Sequence, residues 1–245
     1  LSMVIVQISL LIIISGLIAW FVLEDEDGGE NSSVGTFNSG LREITAVLKL
    51  PVVWLIAVVV LAAYSAYWGT YRFTSYSSDI FSLSVVAAGA ISIGKMWMSP
   101  PSALVAGFIS DKIGIAKSVA ILFVVLIFSF VVFAFMPGIP SLLPVMIMNV
   151  AVASLAVFAL RGIYFALLEE GGIPMIITGT ATGFISMIGF TPDIFMPLIG
   201  GVLLDNLPSV EGYRIFFLIV AGICGLGLMA ALMIYRMVIN RDTHH

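Results

Sequence analysis

The chain reads as an all-α fold, a polytopic transmembrane helical bundle with seven spans, and three observations predict it. Of its 245 residues, 61% are hydrophobic and only 10% are charged. Mean hydropathy is +1.18, too high for a soluble domain with a polar surface. The apolar residues fall in uninterrupted runs long enough for the ~20 helical residues that cross a hydrocarbon core of ~30 Å. Such runs exclude a transmembrane barrel, whose strands alternate in polarity over about 10 residues.

The first span is expected over residues 1–23, with its apolar run at 2–23. It lacks a basic leading region and a small-residue cleavage site, so it reads as a span and not a signal peptide. Leu1 is not a methionine, which makes an incomplete N-terminus the expectation. Residues 24–49 follow as a polar linker: the acidic stretch Glu24-Asp25-Glu26-Asp27 through Ser33, then a short amphipathic piece from Leu41 to Lys49. The acidic stretch reads as solvated spacer. Its carboxylates suit a hard cation, but their spacing lacks the ligand periodicity of a calcium loop. Six further spans are expected over 50–74, 82–109, 117–136, 141–168, 173–204 and 213–237, so that 50–238 forms one six-helix body and 239–245 a tail. The fifth and sixth spans exceed the minimum and must tilt, kink or project. Pro100 and Pro101 in the third span, and Pro192 and Pro197 in the sixth, each remove a backbone donor and mark expected bends.

Orientation follows from lysine and arginine near the span ends, where the cytoplasmic side carries the excess. Arg42, Lys49, Lys112, Lys117, Arg236 and Arg241 fall on one side, against Arg72 and Arg214 on the other. The linker, the Ser110–Ala116 loop, the Glu169–Gly172 turn and the C-terminus are thereby assigned to the cytoplasm.

Three ionisable residues lie inside apolar runs: Lys95, Arg161 and Asp193. A charge at membrane depth is costly, so each is a functional candidate by default. On an unbroken helix Lys95 stands ~13 residues, or about 20 Å, from the nearest loop, beyond the reach of its side chain to the interface. Helical spacing sets Ser84, Ala88, Ser92, Lys95, Ser99 and Ser102 on one stripe, and Thr182, Ser186, Gly189 and Asp193 on another. Ser154, Arg161 and Tyr164 share a third face, and the second span adds Tyr64, Tyr67, Trp68 and Tyr71. The candidate solute- and ion-binding set is Lys95, Arg161, Asp193, Tyr164, Tyr67, Tyr71, Ser99 and Ser186, lining a polar cavity that handles an anion or couples to protons. Plainer readings stand beside it. Small and hydroxyl residues also pack helices, and aromatic residues also anchor at interfaces. Arg161 has Glu169 and Glu170 about two turns away as structural partners, and Asp193 suits either cation as one.

Cys224 is the only cysteine, and His244 and His245 at the C-terminal end are the only histidines. No disulfide framework, metal site or cofactor is therefore expected. The chain also offers no nucleophile with an activating base inside the bundle, so it is not expected to be an enzyme. With a net charge of −4 and no extended basic patch, no nucleic-acid partner is expected.

The strongest local motif is Gly107-Phe108-Ile109-Ser110-Asp111-Lys112-Ile113-Gly114, between the third and fourth expected spans. Gly107 permits close helix contact, Asp111 suits capping or pairing at the cytoplasmic mouth, and Gly114 allows a tight turn. The run resembles the G-x-x-x-D-[RK]-x-G signature of the major facilitator superfamily, which recurs between the second and third helices of each half of those carriers. The family's fuller form has further basic residues after the second glycine, where this chain has Ile115 and Ala116 before Lys117. The segments Arg161–Glu170 and Thr178–Gly183 are also similar to bacterial carriers of this superfamily, some assigned to sugars or organic anions. The resemblance implies that residues 1–23 are the family's sixth helix and that the rest is the central cytoplasmic linker and the C-terminal six-helix half. It further implies a secondary active transporter of a bacterial inner membrane, working by alternating access. The implied cargo is a small polar or anionic organic solute, with sugar-like compounds and proton coupling within its range. Gly107, Asp111, Lys112 and Gly114 would be the conformational motif. A missing N-terminal half would be the partner without which the chain is inactive. The alternative is a structural or receptor-like membrane protein that moves no solute.

Overall fold

The computed structural model describes residues 9, 13–16 and 37–242, and every element among them is helical. The chain divides into two compact units, Leu1–Arg42 and Glu43–His245. In the first, residues 13–16 are helical. Most of the span expected over 2–23, and the acidic stretch after it, lie outside the described residues.

The second unit is a helical bundle. The amphipathic segment becomes α1 (Phe37–Leu48), of which the part from Glu43 belongs to this unit, and α2 (Pro51–Tyr71) follows with its proline in the first turn, where a missing N–H costs nothing. Arg72, itself in the αR conformation, stands between α2 and α3 (Phe73–Phe81). The third expected span is two helices, α4 (Val85–Trp97) and α5 (Ser99–Ile113), meeting at Met98. Pro100 and Pro101 lack the N–H groups that would bond back into α4, so they open a new helix instead of bending one. Ser84 caps α4, its hydroxyl accepting from Ala87 N at 3.3 Å.

Next comes α6 (Ile115–Phe135), then α7 (Leu143–Ile163), a 3₁₀ turn over Tyr164–Ala166 and the short α8 (Leu167–Glu170). The sixth expected span is likewise divided, into α9 (Met175–Gly189) and α10 (Pro192–Asn206), with Pro192 again in a first turn. The long α11 (Ser209–Asp242) closes the bundle. Among the described residues, five stretches are long and apolar enough to cross a membrane: Pro51–Tyr71, Ile115–Phe135, Pro140–Glu170, Met175–Asn206 and Ser209–Arg241. The 82–109 stretch, expected as one helix, is broken at Met98 into pieces of 13 and 15 residues.

The core forms where α11 packs along α6 and α2. Phe73, Phe130, Phe133, Phe216, Phe217, Tyr76 and Tyr213 are almost wholly buried there. Phe73 and Phe133 have ring centroids 4.6 Å apart, and Tyr76 meets Phe217 edge-on at 5.4 Å. A polar clamp ties α6 to α7. Ser129 Oγ donates to Asn149 Oδ1 at 2.8 Å, and Asn149 Nδ2 returns a bond to Ser129 O at 3.0 Å. In an apolar surrounding such a reciprocal pair leaves neither group unsatisfied.

Candidate functional site

Each of the three ionisable residues singled out from the sequence stands within one turn of a helix end. Lys95 is in the last turn of α4, Arg161 in the last turn of α7 and Asp193 in the first turn of α10. A helix carries partial negative charge at its C-terminus and partial positive charge at its N-terminus, so all three signs are the favourable ones. The breaks at Met98 and at Phe190–Thr191 create two of these ends partway along what the sequence presents as single spans.

Lys95 and Arg161 line one cavity of about 400 Å³, with Tyr67, Tyr71, Ser92, Ser99 and Phe158 among its walls. Lys95 is 7% exposed. Its Nζ donates to Thr70 O and to Thr70 Oγ1, both at 3.2 Å, and lies 4.7 Å from the centre of the Tyr71 ring. The Arg161 guanidinium carbon lies 4.1 Å above the Tyr67 ring and 5.8 Å from that of Tyr64, a stacked arrangement that stabilises a cation without neutralising it. Among the described residues, no carboxylate lies within 4.0 Å of either cation. Tyr67 and Tyr71 share a hydrogen bond of 2.8 Å between their hydroxyls, and Thr74 Oγ1 and Ser92 Oγ another of 2.8 Å.

Asp193 is next door, outside that cavity wall. Its Oδ1 accepts from Trp68 Nε1 at 2.7 Å and its Oδ2 from Tyr64 OH at 3.4 Å. Tyr64 therefore faces the carboxylate while its ring faces Arg161. Asp193 is not a partner for Lys95 or Arg161, and Arg161 does not pair with Glu169 or Glu170.

The structure brings together Lys95, Arg161, Tyr67, Tyr71 and Ser99 from the sequence-derived set, with Asp193 one aromatic layer away. Tyr164 neighbours Arg161 but stays off the cavity wall, buried in the 3₁₀ turn with its ring 4.7 Å from that of Phe165. Ser186, a half-buried residue of α9, is off the wall as well. Thr70 and Phe158 were missed. Phe158 lies three residues before Arg161, one turn of helix, and that spacing is the signal that could have found it.

At the opposite end of α5 the Gly107–Gly114 motif takes a different form from the one expected. Gly114 has φ +91°, the conformation for which glycine is needed, but a Cβ on Gly107 would meet nothing within 4 Å. Asp111 and Lys112 are exposed and make no hydrogen bond or ion pair among the described residues. The loop is instead held by Glu170, whose Oε2 accepts from Ala116 N at 2.6 Å at the start of α6. Arg241 Nη2 then donates to Glu170 O at 3.0 Å, so the loop, α8 and the end of α11 meet on one carboxylate residue.

No family model matches the chain. It is 26% identical over 251 aligned positions to the inner membrane protein YqcE of Escherichia coli K12, which covers 99% of the chain and 58% of that protein. It is 29% identical over 240 positions to the inner membrane protein YihN of the same organism, covering 95% of the chain and 56% of YihN. The chain thus spans a little over half the length of these curated relatives. With five helical stretches among the described residues long and apolar enough to cross a bilayer, and relatives of this kind, the chain is a multi-pass inner membrane protein.

Proposed function

We propose that the chain is the C-terminal half, with one preceding helix, of a secondary carrier of the major facilitator type, and that the cavity between Lys95 and Arg161 receives a small polar or anionic organic solute. The observation that carries this reading is the pair of cations on one polar wall with no carboxylate among the described residues to neutralise them. A buried cation without a counter-charge is costly, and a site tolerates that cost where an anionic ligand completes it. Tyrosine and serine hydroxyls supply the hydrogen bonds that a hydroxylated, sugar-like solute needs.

Two further features support the reading. Both broken spans border the site, and discontinuous helices at binding sites are a recurrent device of secondary transporters. The Glu170 knot at the other end of the bundle suits a gate that closes one side while the cavity opens to the other. Asp193, bonded through aromatic donors to the layer that faces Arg161, is the residue of choice for a transported or stored proton.

The test is uptake into proteoliposomes by the full-length protein, with sugar acids, neutral sugars and small organic acids, with and without a pH gradient. Saturable uptake of an anionic solute, lost in Arg161→Ala, is the expected result. Uptake no greater than in empty vesicles for every solute class would move the assignment to the structural or receptor-like alternative.

A further inference from the structure

The helices α5 and α7 line a second cavity besides the polar one, a groove of about 480 Å³ that they share with α6. Val105, Ile109, Ile121, Val125, Val152 and Leu155 form its walls. Two hydroxyls reach it, and both are turned back on their own helices: Ser118 Oγ donates to Gly114 O at 2.8 Å and Ser102 Oγ donates to Met98 O. Neither hydroxyl therefore has a donor hydrogen left for a ligand, and the rest of the lining is almost wholly apolar, which disfavours a polar solute. Along α5 it extends from Pro101 to Ile113. At 1.5 Å per residue that is ~18 Å, close to one leaflet of a hydrocarbon core of ~30 Å.

One end of the groove is charged. Ile113 and Ser118 are the wall residues there, and Lys112 and Lys117 stand next to them in the chain with exposed side chains. Asp111 is the one acidic residue from Ser110 to Ser118. The Glu170 carboxylate also sits in this loop, on Ala116 N, with Arg241 bonded to the Glu170 carbonyl, so the three cations Lys112, Lys117 and Arg241 outnumber the two carboxylates. A leaflet-length apolar slot with two exposed lysines adjoining one end is complementary to an anionic phospholipid.

We propose that this groove is a binding site for one anionic phospholipid of the cytoplasmic leaflet. One acyl chain lies between α5, α6 and α7, and the phosphate lies between Lys112 and Lys117. The seated chain would fill the groove between the three helices, and so would tie the loop held by Glu170 to the state of the surrounding leaflet.

The protein reconstituted in nanodiscs of mixed phosphatidylglycerol and phosphatidylcholine, released into the gas phase and weighed, tests this directly. One retained phosphatidylglycerol per protein is expected. Lys112→Gln with Lys117→Gln should lower its retention relative to phosphatidylcholine by ~5-fold for each lysine removed. Val105→Trp, at a position 55% exposed and so tolerant of a larger side chain, should abolish retention of either lipid while the protein stays folded by circular dichroism. Equal retention of the two lipids by the unaltered protein would overturn the proposal. So would a lipid-free protein dimer, which would mean that a second copy covers the groove, or retention unchanged in Val105→Trp.

Discussion

A lysine ammonium has three donors, and in Lys95 two of them go to the carbonyl and hydroxyl of Thr70. The third is available to the cavity, where the Tyr71 ring also faces the charge. Replacing Lys95 with alanine should therefore lower the affinity for an anionic solute by about 10- to 100-fold, the range for one hydrogen bond to a charged group of ~1.5–3 kcal/mol. Titration of solute binding by the purified protein would read this, and an affinity unchanged in Lys95→Ala would remove Lys95 from the site. Asp193 calls for a different measurement. An asparagine in its place would still accept from Trp68 but would carry no titratable proton, so Asp193→Asn should keep solute binding while uptake loses its response to a pH gradient. Uptake that follows the gradient as before would exclude Asp193 as the proton carrier. The charges themselves were legible in the sequence because ionised groups in apolar runs are costly and few. Thr70 was not, since a threonine in a membrane helix bonds its own backbone as readily as a neighbour's lysine, and Thr70 does both.

At the level of elements, what the sequence hid was helix discontinuity. The stripes drawn through Lys95 and Asp193 assume unbroken helices, and each stripe crosses a break, at Met98 or at Phe190–Thr191. Ser186 on α9 and Asp193 on α10 are both off the cavity wall, whereas Ser92, Lys95 and Ser99 share that wall across the break at Met98. Pro100, Pro101 and Pro192 did announce the breaks, but their position in a first turn makes them helix starts and not kinks, whereas Pro197 lies inside α10. The start of α6 has its own device, the Glu170 carboxylate on Ala116 N, and an anionic cap at a helix N-terminus is worth ~1 kcal/mol. Glu170→Ala should lower the melting temperature of the detergent-solubilised protein, and Glu170→Gln, which keeps an acceptor oxygen, should recover part of the loss. Equal melting of all three would show that the cap carries no stability. Helix contact in α11 gives a paired test. A Cβ on Gly227 would lie 2.5 Å from Phe123 Cζ and 2.6 Å from Ala62 Cβ, whereas one on Gly225 would meet nothing within 4 Å. Gly227→Ala should destabilise by ~1–3 kcal/mol through overpacking. Gly225→Ala should be neutral or slightly stabilising, and the two melting curves check both statements.

For the molecule as a whole, the charge count and the packing agree on which residues share an end. Ala116, Glu170 and Arg241 meet in one knot, beside the loop that carries Lys112 and Lys117. Away from it, Tyr213 OH donates to Asp79 Oδ2 at 2.7 Å, and Arg214 Nε donates to Ala134 O at 3.4 Å near the far end of α6. Arg214 and Arg236 lie 22 positions apart on the single helix α11, a rise of ~33 Å that matches a hydrocarbon core of ~30 Å. They should therefore emerge on opposite faces of the membrane. The chain provides its own background for the measurement, because Cys224, its only cysteine, is fully buried and should not react. In intact spheroplasts, a membrane-impermeant maleimide should label Arg214→Cys at once and Arg236→Cys only after the membrane is permeabilised. Both side chains are exposed, so a failure to label would not come from burial. Labelling of Arg236→Cys in intact spheroplasts with Arg214→Cys protected would invert the molecule, move the Glu170 knot to the periplasmic side and place the Lys112–Lys117 end of the apolar groove in the outer leaflet.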